Sequence, residues 1–90
     1  MNKAQTEKLI DAKKDIDKAR DMVSNILANT QKVFNEIEIE YDELSDEQKE
    51  EENGSKLDTE KEALQEAIDA LQGVDEKFDE LDSAINTAME

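Results

Sequence analysis

Two apolar heptad repeats, neither interrupted by proline, constrain this chain more than any other feature. In the first half, Leu9, Ile16, Val23, Thr30, Ile37 and Leu44 recur every seven residues. Ala12, Ala19, Ile26 and Val33 form a second row three residues on, which Glu40 breaks. In the second half, Leu57, Leu64, Leu71, Phe78 and Ile85 form the first row, and Ala67, Val74, Leu81 and Ala88 the second, after a polar start at Glu60. We label the first rows a and the second rows d. Apolar residues spaced alternately by three and four lie on one stripe of a helix, as in a coiled coil. With no proline, two glycines and 3% aromatic residues, a sheet-based fold is disfavoured. The expected fold is all-α: an antiparallel two-helix hairpin of coiled-coil type.

The ends of the helices carry their own signals. Asn2 followed by Gln5 has the spacing of a capping box, which starts the first helix at about residue 3. Ser45 and Gln48 repeat that spacing. The first helix is therefore expected to end near residue 44, with a short helix after it, or to continue to residue 52. Asn53-Gly54-Ser55 is the expected turn, with Gly54 as the helix stop. Residues 45–55 are then an acidic turn region, and the second helix covers 56–89. All 90 residues belong to a single domain. Gly73 lies within the second helix, away from its seam, where glycine costs about 1 kcal/mol relative to alanine.

The apolar face is wider than two helices need. Leu27, Phe34 and Tyr41 form another stripe beside the first seam, four residues after position a, which we label e. Ile68 and Met89 lie on the same flank of the second helix, and Ala63, Ala70 and Ala84 on the other. A turn at residue 54 would place the C-terminus opposite Asp15 to Met22, so that the first helix overhangs by about 15 residues at 1.5 Å each. Leu9, Ile10, Ala12 and Ile16 would lie in that overhang. Exposed apolar stripes mark association sites, and a chain this short buries little surface alone. Self-association through Leu9, Ile10, Ile16, Leu27, Phe34 and Tyr41, as a homodimer forming a four-helix bundle, is expected.

The net charge is −15, and it is unevenly placed. Residues 1–35 carry seven basic and five acidic side chains, whereas residues 36–90 carry four basic and 21 acidic ones. Carboxylates three or four residues apart share a helix face at about 5–6 Å. Glu62, Glu66 and Asp69 do so, as do Asp75, Asp79 and Asp82; Asp42, Glu43, Asp46 and Glu47 cluster before the turn. That spacing is close to the spacing of phosphates along one nucleic acid strand. These ten residues are the candidate partner-binding face, and a protein with a basic surface is the expected partner. The same charge keeps a helical rod in solution, which is the plainer reading of such a run. It argues against direct binding of nucleic acid or of an anionic membrane.

Other chemistry finds little footing. The chain has no histidine and no cysteine, which removes thiol nucleophiles, disulfides, zinc-finger ligands and histidine acid–base catalysis. Paired carboxylates need a water-excluding pocket to separate their pKa values, and a thin hairpin offers none. The cluster at Asp42, Glu43, Asp46 and Glu47 lacks the spacing and glycine of a calcium-binding loop. No catalytic residue, metal site or cofactor is expected. There is no apolar run of signal-peptide type and none that could span a bilayer, so a cytoplasmic location is expected.

Glu40 to Ser55 resembles a pattern in small acidic helical proteins of bacteriophages and prophages, E-x-Y-F-D-x-L-P-E-x-x-Q-x-x-x-x-G, followed by an acidic helix of E-A-I-D-A-L type. Tyr41, Asp42, Leu44, Gln48 and Gly54 match it, then Ala67-Ile68-Asp69-Ala70-Leu71. Ser45 stands where proline is common. The resemblance covers mainly residues 40–71 and brings no activity with it. It implies a phage or mobile-element accessory protein. Joined to the charge, it gives the expected function: a non-enzymatic interaction module that inhibits a host defence or nucleic-acid-binding protein through a nucleic-acid-mimicking carboxylate surface. The alternative is an assembly module whose apolar seams mediate oligomerisation.

Overall fold

The computed structural model describes residues 1–90, and all its regular structure is helical. Three helices follow in order: α1 (Lys3–Asp42), α2 (Asp46–Glu50) and α3 (Glu52–Met89). Together they form a rod of 68 × 16 × 14 Å. α3 lies beside α1 and runs the opposite way. Lys13 reaches Asn86 near the end of α3, Arg20 reaches Asp79, and Lys61 near its start sits over Phe34.

Local side chains set the helix starts. The Asn2 side chain accepts from the Gln5 N–H at 2.8 Å, and the Asn2 N–H donates to Gln5 Oε1 at 2.9 Å. Ser45 and Gln48 form the same reciprocal pair at α2, at 3.2 and 3.0 Å. Both boxes satisfy N–H groups that a helix start leaves without partners. α1 thus ends at Asp42, and α2 is a separate helix. Ser45→Ala is expected to lower stability by about 1 kcal/mol, measurable as a shift of the urea midpoint; Glu47→Ala, outside the box, should leave it unchanged.

The reversal of the chain is not where the sequence places it. Asn53, Gly54 and Ser55 lie in the first turn of α3, which begins at Glu52 rather than at residue 56. No residue has positive φ. The chain turns instead through two extended residues, Ser45 (φ −69°, ψ 162°) and Glu51 (φ −80°, ψ 173°), one on each side of α2. Gly54 is a buried helical residue. A Cβ there would stand 2.6 Å from the Lys49 carbonyl carbon and closer still to its oxygen. The glycine therefore permits α2 to fold tightly onto the start of α3, and does not act as a left-handed helix stop.

Moving the reversal toward residue 45 removes most of the expected overhang. Lys13 lies opposite Asp82 and Asn86, so the last turns of α3 reach the early turns of α1. Ile16 is buried, at 8% exposure.

The seam itself is turned by one heptad position from the expected one. The a rows face inward in both helices, half-buried from Leu9 to Leu44 and from Leu57 to Ile85, with Ile16 buried. Their companions are the e positions. Leu27, Phe34 and Tyr41 are half-buried in α1, while Ile68 is buried, at 6%, and Met89 half-buried in α3. The d residues Ile26, Val33, Val74 and Leu81 are exposed. In α1 the reason is area, since Leu27, Phe34 and Tyr41 remove more apolar surface from water than Ile26, Val33 and Glu40 would; in α3, where e holds Asp75 and Asp82, the ion pairs with Arg20 and Lys13 favour the same turn. On the charged e positions, oppositely charged groups meet across the seam.

Candidate interaction surfaces

Three basic side chains tie the two long helices together, and a fourth ties α2 to α1. Arg20 Nη2 donates to Asp79 at 2.7 Å and to Asp75 at 3.3 Å. The hydrogen bond to Asp79 raises the Arg20 pKa above its ordinary value; desolvation opposes this, and the charges of Asp79 and Asp75 add to it. Lys13 lies 3.9 Å from Asp82 and donates to Asn86. Lys61 stands over the rings of both Tyr41, at 5.6 Å, and Phe34, at 6.0 Å. Lys49 of α2 covers Tyr41 as well, at 5.2 Å. Each such cation over a ring contributes about 0.5–1 kcal/mol at an exposed site. Tyr41 thus connects all three helices. Sequence reasoning missed these contacts, since each depends on the register between segments far apart in the chain. The spacing of Lys61 and Ile68, both at e, was the one available signal.

The ten candidate acidic residues divide into two sets. Asp75, Asp79 and Asp82 face Arg20 and Lys13 and serve the intramolecular pairing. Asp42, Glu43, Asp46 and Glu47 at the reversal, and Glu62 and Glu66 on the back of α3, are exposed and make no ion pair. Asp69, also exposed, accepts from Gln65 at 3.0 Å. Residues 36–62 hold thirteen acidic and three basic side chains, a net charge of −10. One end of the rod thus carries two-thirds of the net charge. Despite this density, no three carboxylates converge closely enough to hold a metal ion.

The residues expected to drive self-association are placed differently. Ile16 is buried, and Leu9, Leu27, Phe34 and Tyr41 are half-buried between α1 and α3. Only Ile10 is exposed. The exposed apolar groups lie elsewhere, at Met22, Ile26, Val33, Ile39, Val74 and Leu81.

Two shallow grooves run along the junction of the helices. One, at the reversal end, is lined by Glu40, Leu44, Asn53, Lys56, Leu57 and Glu60. The other lies mid-rod, lined by residues that include Ser24, Leu27, Gln72 and Asp75. Neither is a closed pocket that could exclude water from a reacting group. No helix is long and apolar enough to cross a membrane.

Comparison with protein families, with curated proteins and with solved structures finds no match to this chain. Its functional reading rests on the surfaces described above.

Proposed function

We propose that this protein is a non-enzymatic interaction module that binds a basic protein surface through its free carboxylates and inhibits it by taking the place of nucleic acid. One observation carries this reading. Asp42, Glu43, Asp46, Glu47, Glu62 and Glu66 stand exposed and outside any ion pair at and beside the reversal, where residues 36–62 set three basic side chains against thirteen acidic ones. Helical carboxylates at about 5–6 Å offer a row of anions whose approach to a basic groove is steered by charge and weakened by salt. The resemblance of residues 40–71 to phage and prophage proteins makes a host defence or nucleic-acid-binding protein the target in this proposal, met in the bacterial cytoplasm. The paired helices act as a hairpin that self-associates into a four-helix bundle, leaving the back of α3 open.

The test is affinity capture of a bacterial extract on the immobilised chain, with elution by duplex DNA and separately by salt. A nucleic-acid-binding protein released by DNA is the expected result. The triple variant Glu62→Lys, Glu66→Lys, Asp69→Lys should bind that protein about 100-fold more weakly, as loss of several interfacial charges does, with unchanged helicity by circular dichroism. Undiminished binding by the triple variant would show that the carboxylates serve only to keep the rod in solution.

A further inference from the structure

Four of the eight large apolar side chains that are exposed share one heptad position. Ile26 and Val33 of α1 and Val74 and Leu81 of α3 are all d residues, and all are exposed. When two antiparallel helices both turn a and e toward each other, their d rows fall on the same flank of the pair. The groove that brings the d residues Glu40 and Glu60 together shows this flank directly. The mid-rod groove, which joins Ser24 to Gln72, lies on the opposite flank.

The contacts of Arg20 with Asp75 and Asp79, and of Lys13 with Asp82, fix the register. Val74 then lies just on the open-end side of Ile26, and Leu81 near the level of Ile16. Read from the open end toward the reversal, the central part of the d flank runs Leu81, Ala19, Val74, Ile26, Ala67, Val33, with Ala88 and Ala12 before it and Glu60 and Glu40 after it. Within that central part, large residues stand at both ends and in the middle, with an alanine in each gap. The order of sizes is the same from either end. A two-fold axis crossing the rod between Val74 and Ile26 would bring Leu81 level with Val33 of a second copy, Ala19 level with its Ala67, and Val74 level with its Ile26. Such reciprocal matching is what an isologous contact requires.

Area supports the same occupant. The chain exposes 6722 Å², whereas a compact folded monomer of 10.2 kDa exposes about 5,300 Å². The excess of about 1,400 Å² is more than the roughly 600–1,000 Å² that a stable dimer removes from each copy. Charge fixes the orientation. Residues 36–62 carry −10, and the other residues together only −5. Two copies with their reversal ends together would set two −10 ends side by side. Reversed copies place each such end beside the nearly balanced open end of the other.

We infer that the d flank is a homodimer interface on which a second copy packs antiparallel, the reversal end of one rod beside the open end of the other. The inference rests on the self-association proposed above and adds the face and the orientation. It leaves Glu62, Glu66 and Asp69 on the outside of the bundle.

Sedimentation equilibrium of the full chain, from micromolar to millimolar concentration, tests it. The expected mass is twice that of the chain. Ile26→Glu and Val74→Glu, both at exposed positions and expected to keep the helicity of the single chain, should each weaken association by about 100-fold or more. Ile10→Glu, on the other flank, should leave it unchanged. Since the chain lacks cysteine, a short bismaleimide reports orientation. Glu47→Cys chains alone should not cross-link, whereas a mixture with Lys3→Cys chains should. A wild-type chain that is monomeric throughout overturns both the self-association and the face. A dimer that survives Ile26→Glu and Val74→Glu overturns the face and leaves self-association standing. Self-linking of Glu47→Cys chains overturns the antiparallel orientation.

Discussion

Replacing Ile16 and Ile68 together by alanine is expected to leave the chain largely unfolded at room temperature. These are the only two apolar side chains buried in the molecule. Each substitution removes buried methylenes from the seam and should cost about 2–4 kcal/mol. The register set by Arg20 places the two residues at well-separated levels of the rod, so their effects should add. A domain of this size commonly has about 5–10 kcal/mol of total stability, and a seam this thin belongs at the low end. Ile39→Ala is the matching control. It removes the same atoms from a side chain that is 58% exposed and should change stability by less than about 0.5 kcal/mol. Thermal melts followed by circular dichroism separate the cases. A double variant that melts with the wild type would mean that the two long helices do not pack through a and e.

The two glycines should respond oppositely to alanine. At Gly73 a new Cβ meets nothing within 4 Å, and the position is mid-helix and exposed. Gly73→Ala should therefore stabilise by about 1 kcal/mol, the difference in helix propensity. At Gly54 the same propensity gain is opposed by the Lys49 backbone, which the new Cβ would overlap. Backbone cannot swing aside as a flexible side chain can, so α2 must lift from α3. Gly54→Ala should destabilise by about 2 kcal/mol net. It should also loosen the packing of Lys49 over Tyr41. The two urea midpoints, measured side by side, decide the point. Equal stabilisation by both alanines would show that α2 does not fold onto the start of α3.

Both predictions mark where sequence and structure part. The helical class was legible because heptad spacing is a property of single segments. The helix starts at Asn2 and Ser45 were legible because a capping box closes within four residues. The reversal was not. Gly54 in an Asn-Gly-Ser run resembles a helix stop, yet its absent side chain serves a close approach that depends on where α2 lands. Ser45 announces a helix start but not a reversal, and Glu51, the second extended residue that turns the chain, carries no signal at all.

The candidate site divides along the same line. Clustering of Asp42, Glu43, Asp46 and Glu47, and the 62/66/69 spacing, were readable from sequence separation alone. That Asp75, Asp79 and Asp82 are engaged by Arg20 and Lys13 was not, since those partners are more than fifty residues away.

The sequence by itself determined that this chain is helical, where two of its helices begin, and that one half carries the charge, because these follow from interactions within one or two turns. Only the tertiary structure decided which stripe of each helix faces the other. Row a can pair with either neighbour, the more uniformly apolar d or the half-charged e, and the choice rests on the area that Leu27, Phe34, Tyr41 and Ile68 bury together and on the ion pairs that Lys13, Arg20, Asp75 and Asp82 make across the seam. That same choice left Ile26, Val33, Val74 and Leu81 on the outside.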